Sequence, residues 1–204
     1  MNDNASKIDE FYNKVIQGFH ELRKIVCRYV YLPTDGISEQ HNELSDVILF
    51  IILLRLDIAI SCKYFLINKQ IKDIYAASYF ARALSVHCSD ITNTDEEGRI
   101  LNRIRRIASL YKEQETYKTL SAKLFSNRSK LYSIGRENIQ FIESIRNNLF
   151  AHRDGTGIQQ HDSIIYVELD RLANIVISID EILNEMIGDL ISIQQLLVSK
   201  VNVT

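Results

Sequence analysis

Apolar residues recur every three or four positions through the start of the chain. Because an α-helix turns once in about 3.6 residues, this spacing collects them on one helix face. Pro33 and the Asp35-Gly36 pair come next, and both disfavour the continuation of a helix. We therefore predict a long amphipathic first helix whose apolar positions are Ile8, Phe11, Tyr12, Val15, Ile16, Phe19, Leu22, Ile25, Val26 and Tyr29.

The most apolar stretch of the chain runs from Val47 to Leu54, with the sequence VILFIILL. A membrane-spanning helix requires about 20 predominantly apolar residues. Charged residues interrupt the stretch before that length is reached, at Arg55, Asp57 and Lys63. The pattern favours a central buried helix, from about Ser38 to Ile67, over a membrane segment.

The middle of the chain predicts two or three further helices. One covers about Lys69 to Asp90. The sequence Thr94-Asp95-Glu96-Glu97 is a capping box, which predicts the start of another helix that runs through Tyr111. The helical pattern around Tyr117 to Phe125 either continues that helix or forms another one, and the polar run Ser126 to Ser129 is predicted to end it.

Two helices are predicted in the last third of the chain. Ile139, Ile142, Ile145 and Leu149 form the apolar face of the first, which should end at Asp154-Gly155, where glycine favours a helix terminus. The second carries apolar residues from Leu169 to Ile193. Long helices with short connections predict an all-α fold, an antiparallel bundle of about five to seven helices, as one domain over residues 1–204.

Composition and charge narrow the functional classes. The formal net charge is −2, so any nucleic-acid site has to be a local basic patch. Cys27, Cys62 and Cys88 are isolated in the sequence and lack metal-ligand spacing, which predicts reduced, buried thiols. The polar start of the chain has no apolar signal region behind it, and we therefore expect a cytoplasmic protein.

Candidate chemistry is concentrated between Glu143 and Asp154, with the sequence ESIRNNLFAHRD. This segment resembles the signature of the HEPN family, an arginine followed by a polar residue and then, after four to six positions, a histidine. The fuller RN…AHRD form is similar to family members linked to abortive-infection and toxin systems of microbes. Arg82 and His87 also satisfy the bare spacing, but no polar residue follows that arginine.

The two residues that carry the motif, Arg146 and His152, suit the cleavage of RNA without a metal. An arginine side chain can bind two oxygens of a phosphate group, and a histidine can accept or donate a proton near neutral pH. Such a pair can promote the attack of a ribose 2′-hydroxyl on the adjacent phosphorus, a reaction that DNA cannot undergo. No carboxylate cluster or set of histidines and cysteines has metal-ligand spacing, and we predict no cofactor. The neighbours Asn147, Asn148, Arg153 and Asp154 are predicted to support the pair.

Helix geometry limits how Arg146 and His152 can meet. Six residues of a continuous helix advance about 9 Å and rotate by a net angle of about 120°. Either the long arginine side chain bridges the gap, or a second chain completes the site. The HEPN resemblance implies the second arrangement, a homodimer in which both copies of the motif line a shared cleft.

Other interpretations of these residues stay open. Without the resemblance, His152 and Arg153 are typical of a helix C-terminus, and Arg146 could pair with Glu143. Many HEPN domains are thought to bind nucleotides or act as scaffolds, which leaves a non-catalytic role and an antitoxin or nucleotidyltransferase partner possible. Some HEPN toxins carry a modified tyrosine two positions after the histidine, but this chain has Asp154 there.

A second basic feature precedes the motif. Arg99, Arg103 and Arg106 recur at helical spacing, opposite an isoleucine face. They could guide RNA along its phosphates toward the motif. They could equally form a solvated helix face that pairs with Glu96 and Glu97, and the sequence favours this second reading.

Overall fold

The computed structural model describes residue 6, residues 9–18, residue 20, and residues 39–93, 99–148 and 169–201. Every regular element within these residues is an α-helix, which confirms the predicted all-α class. The helices are α1 (residues 9–18), α2 (Glu39–Gln70), α3 (Ile74–Thr92), α4 (Ile100–Tyr111), α5 (Lys118–Asn148) and α6 (Leu169–Val201).

Four of these helices close a ring around one hydrophobic core. Helix α2 packs against α3 and α6, and α5 packs against the same two helices from the other side. Ser45 and Arg55 of α2 bond to Gln194 and Asp180 of α6, so the start of one helix lies beside the end of the other. The two helices are therefore antiparallel, as the sequence predicts for a bundle. Helix α4 packs mainly on α5.

The turn between α2 and α3 corrects one predicted boundary. Helix α2 continues to Gln70, beyond the expected end at Ile67, and α3 begins at Ile74 rather than Lys69. Lys72 has a φ of 62°, and the N–H of Asp73 donates to the Asn68 carbonyl at 2.8 Å, which together close a Schellman turn. The Asp73 carboxylate then accepts from the N–H of Ala76 and caps α3.

The predicted helix break at Ser126 to Ser129 is wrong, because α5 is continuous from Lys118 to Asn148. The polar side chains find partners that do not require the backbone to leave the helix. Asn127 is buried and accepts a hydrogen bond from Lys130, while Arg128 donates to the Leu101 carbonyl of α4 at 2.9 Å. The Ser129 hydroxyl donates to the carbonyl one turn earlier. A turn at residues 112–117 separates α4 from α5.

The prediction of a central, buried α2 is correct for most of that helix but not for all of its surface. Ile48, Ile51 and Ile58 are fully buried in the core. On the opposite side, Leu49, Phe50, Leu53, Tyr64 and Ile67 each expose more than a third of their surface. Helix α2 is therefore apolar all round, while its neighbours cover only one side of it.

Two of the three cysteines lie in the described residues. Cys62 and Cys88 are free and buried, as predicted, and burial raises the pKa of both thiols to about 12. A thiol with so high a pKa stays protonated near neutral pH and is a poor nucleophile. The structure thus gives both residues the role of small core side chains. Cys27 lies outside the described residues.

Candidate functional site

The motif arginine lies where α5 meets the end of α3. Arg146 occupies the last turn of α5, a position where the partial negative charge of a helix C-terminus favours a cation. Its side chain is half-buried, and its Nη1 atom lies 3.4 Å from the hydroxyl oxygen of Ser89 in α3. The guanidinium group is thus held against a neighbouring helix rather than extended into solvent.

Arg146 closes one end of a groove of about 400 Å³ between α3 and α5. Helix α3 contributes polar groups from Ser89, Thr92 and the following Asn93. Helix α5 contributes two arginines, one carboxylate, an aromatic ring and apolar side chains; its lining residues are Tyr132, Gly135, Arg136, Ile139, Ile142, Glu143 and Arg146. This combination of guanidinium groups and hydrogen-bonding groups suits an anionic ligand with polar substituents.

A close approach of the two helices forms the floor of this groove. A Cβ atom added at Gly135 of α5 would overlap the Cβ and Oγ1 atoms of Thr92. Thr92 is buried and is fixed in place because its hydroxyl donates to the Cys88 carbonyl at 2.8 Å. Glycine at position 135 therefore sets the spacing between α3 and α5, and with it the width of the groove.

We expect Gly135→Ala to lower the free energy of unfolding by about 1–3 kcal/mol, since the added methyl group forces the two helices apart. Urea unfolding followed by circular dichroism measures the change. Gly188→Ala is the matched control, because Gly188 is also helical and a Cβ there meets nothing within 4 Å. The control should gain about 0.5–1 kcal/mol from helix propensity. Equal effects at both positions would contradict the close approach.

Only some of the remaining motif residues lie in the part of the chain that the structure describes. Asn147 and Asn148 belong to the described end of α5, where only their backbone is defined. His152, Arg153 and Asp154 lie outside the described residues. The structure thus places the predicted phosphate-binding arginine, and the pairing of Arg146 with His152 stays a prediction.

The basic residues that precede the motif are engaged within the bundle. Arg99 pairs with Asp90 of α3, while Arg103 and Arg106 pair with Asp46 and Glu43 of α2. These carboxylates offset the positive charge that an RNA phosphate would otherwise meet. The predicted partners Glu96 and Glu97 lie outside the described residues, and a role in RNA binding stays a prediction.

Sequence reasoning missed a second polar centre, where α2 and α6 meet. Arg55 donates from Nε and Nη2 to the two carboxylate oxygens of Asp180, at 2.7 and 2.9 Å, and from Nη1 to the side-chain oxygen of Asn184 at 2.7 Å. Arg55 and Asp180 are both buried. The only local signal was a charged residue inside an otherwise apolar face on each of the two helices.

Comparisons with known proteins add no relative to this picture. No family model, no curated protein and no solved structure matches the chain. In the described residues, no helix has an apolar stretch of the length and purity that crossing a membrane requires. The same part of the chain brings together no set of three His, Cys, Asp or Glu side chains that could hold a metal ion.

Proposed function

We propose that the chain is a metal-independent endoribonuclease of a toxin–antitoxin or antiviral defence system, in keeping with its resemblance to the HEPN family. The observation that best supports this proposal is the position of Arg146, half-buried at the end of a polar groove and beside the Ser89 hydroxyl. A guanidinium group in this setting can bind a phosphate that enters the groove. The proposal also takes the protein to act in the cytoplasm.

In the proposed reaction, Arg146 holds the phosphate while His152 transfers protons. The 2′-oxygen of a ribose attacks the adjacent phosphorus as its proton passes to a base, and the bond from phosphorus to the 5′-oxygen of the next nucleotide breaks. The departing 5′-oxygen takes up a proton. The products are a 2′,3′-cyclic phosphate and a 5′-hydroxyl. Asn147, Asn148, Arg153 and Asp154 are proposed to support the pair, and a second chain is proposed to complete the site in a homodimer.

An RNA-cleavage assay in the presence of a chelator tests this function. We expect the wild-type chain to cut RNA, to leave DNA intact, and to leave cyclic phosphate ends. His152→Gln should slow cleavage by about 10²–10⁴-fold, the usual contribution of a positioned acid or base. The matched control is His87→Gln in α3, the histidine of the other Arg–His pair with this spacing, and it should cut normally.

Two outcomes would contradict the proposed endoribonuclease activity. The first is a chain that cuts RNA only after a divalent cation is added, and the second is cleavage that persists in His152→Gln. Circular dichroism of each variant shows whether a lost activity reflects lost helices. Pull-down of an antitoxin or a nucleotidyltransferase would identify a regulatory partner but would not by itself establish cleavage.

The second candidate is a non-catalytic, HEPN-like scaffold that binds nucleotides, RNA or another protein. The ion pairs of Arg99, Arg103 and Arg106 favour it, because these side chains already hold carboxylates of α2 and α3. This candidate predicts RNA binding without cleavage, or no RNA binding at all. A filter-binding measurement alongside the cleavage assay separates the two.

A further inference from the structure

Helix α2 carries a line of apolar residues on the side that the rest of the described chain leaves open. This line consists of Leu49, Leu53, Ile60, Ile67 and Ile71, and we call it the α2 stripe. Leu49, Leu53, Ile67 and Ile71 are exposed, and Ile60 is half-buried. All five residues fall within about 40° of one another around the helix, since each residue advances about 100°. The stripe extends about 33 Å along α2 and the turn that follows it.

Aromatic residues widen this stripe toward α3. The ring of Tyr64 in α2 stacks on the ring of Phe80 in α3, with 5.2 Å between the ring centroids. The Tyr79 ring packs edge-on against the same Phe80 ring, with 5.3 Å between the centroids. Ile71, Tyr75 and Tyr79 expose 67%, 74% and 68% of their surfaces. The aromatic groups and the α2 stripe therefore form one continuous apolar surface across the two helices.

The size of this surface is that of a protein interface. Eight exposed apolar residues belong to it: Leu49, Phe50, Leu53, Tyr64, Ile67, Ile71, Tyr75 and Tyr79. With about 150–250 Å² for a large side chain, their exposed fractions amount to roughly 800 Å². A standard interface takes about 800 Å² from each partner, whereas the largest apolar patch on a monomer is usually about 300–600 Å².

The spacing of the stripe identifies its partner. The steps between its residues are four, seven, seven and four, a series that is the same in both directions. When two copies of α2 lie antiparallel about a twofold axis at Ile60, Leu49 faces Ile71, Leu53 faces Ile67, and Ile60 faces its own copy. A twofold interface requires this self-complementarity, because one surface serves both chains.

We propose that the α2 stripe pairs with the α2 stripe of a second copy of this chain, antiparallel and centred on Ile60. The polar residues beside the stripe fit this pairing. Asp57 of one copy comes next to Tyr64 of the other, and the tyrosine hydroxyl can donate to the carboxylate. Lys63 stays clear of the contact, since its ammonium group lies over the Tyr12 ring at 4.0 Å.

This pairing is separate from the groove that holds Arg146. Helix α3 runs back along α2, and none of the residues that line the groove belongs to α2. Pairing of two α2 stripes therefore uses none of the residues that form the groove. A cleft shared by two motifs would therefore use a different contact, and a chain that makes both contacts would join an assembly larger than a dimer. The pairing thus stands whether or not the chain cleaves RNA.

Cross-linking tests both the partner and the direction. Each variant of the full chain carries Cys27→Ser, and Cys62 and Cys88 are buried. With a short bis-maleimide linker, Ile60→Cys should cross-link to its own copy. Leu53→Cys should not, because its two copies lie about 21 Å apart along the helices. An equal mixture of Leu53→Cys and Ile67→Cys chains should cross-link.

Charge substitutions test the same contact without a linker. Leu53→Glu should halve the mass measured by light scattering and weaken association at least tenfold, and adding Ile67→Lys to the same chain should restore much of it. Leu110→Glu is the matched control, because Leu110 of α4 is exposed to 44% and Leu53 to 47%. Its mass should equal that of the wild type.

Three results would overturn the pairing: a monomeric wild type at micromolar concentration, cross-linking of Leu53→Cys to itself, which indicates parallel helices, or unchanged mass in Leu53→Glu. A monomer whose α2 stripe is nevertheless protected from solvent would mean that another segment of the same chain covers it.

Discussion

Replacing Arg55 with methionine is expected to lower the free energy of unfolding by about 3–5 kcal/mol, the cost of leaving one member of a buried ion pair alone. The arginine supplies both carboxylate oxygens of Asp180 with hydrogen bonds, and the two side chains are only 9% and 8% exposed. A groove of about 420 Å³ lies beside the pair, so water can reach the abandoned carboxylate. The loss should therefore fall toward the lower end of the range. Urea unfolding measures it.

Two further variants separate the charge from the packing of Arg55. Lys118→Met removes an exposed pair with Glu115, whose Nζ and Oε2 atoms are 3.5 Å apart, and should change stability by less than about 1 kcal/mol. The double variant Arg55→Met/Asp180→Leu removes both buried charges and should recover most of the loss. A double variant as unstable as Arg55→Met alone would assign the effect to lost packing of the arginine stem.

The helices followed from the sequence because their signal is local. Apolar spacing gave α2 to within about three residues at either end, and the apolar residues predicted for the last helix, from Leu169 to Ile193, all lie in α6. The error at Ser126 to Ser129 has the opposite cause. The polar residues predict a break, but Arg128 donates a hydrogen bond to the Leu101 carbonyl, 27 residues away. A hydrogen-bond partner on another helix cannot be recognised from the residues that neighbour Arg128 in the sequence.

The difference between local signals and contacts with distant residues also applies to the polar centres. Arg55 served only as an argument against a membrane span, because its partner Asp180 is 125 residues away. The exposed side of α2 was also not predicted. A helix that is apolar all round has the same sequence pattern whether its remaining face packs against its own chain or against another one. Arg146 was found from the motif, but its contact with Ser89 required the packing of α3 on α5.

Mixing two inactive variants is expected to restore RNA cleavage if the site combines residues from two chains. Arg146→Ala and His152→Gln should each be inactive alone. In a mixed dimer, one of the two sites receives an intact arginine from one chain and an intact histidine from the other. Equal mixing makes half of the dimers mixed, so the mixture should reach about a quarter of the wild-type rate.

The recovery also shows which contact builds the site. Arg146 sits at the end of the groove between α3 and α5, away from the α2 stripe, so Leu53→Glu added to both chains should leave the recovered rate unchanged. Loss of the recovery in that background would make the α2 stripe the contact that joins the two motifs. A mixture that shows no recovery would mean that Arg146 acts with His152 of the same chain. Every site would then lack one of the two residues, whichever variant it belongs to. In that case the long arginine side chain bridges the separation within one chain, which is about 9 Å when the six residues are helical, as the sequence predicts.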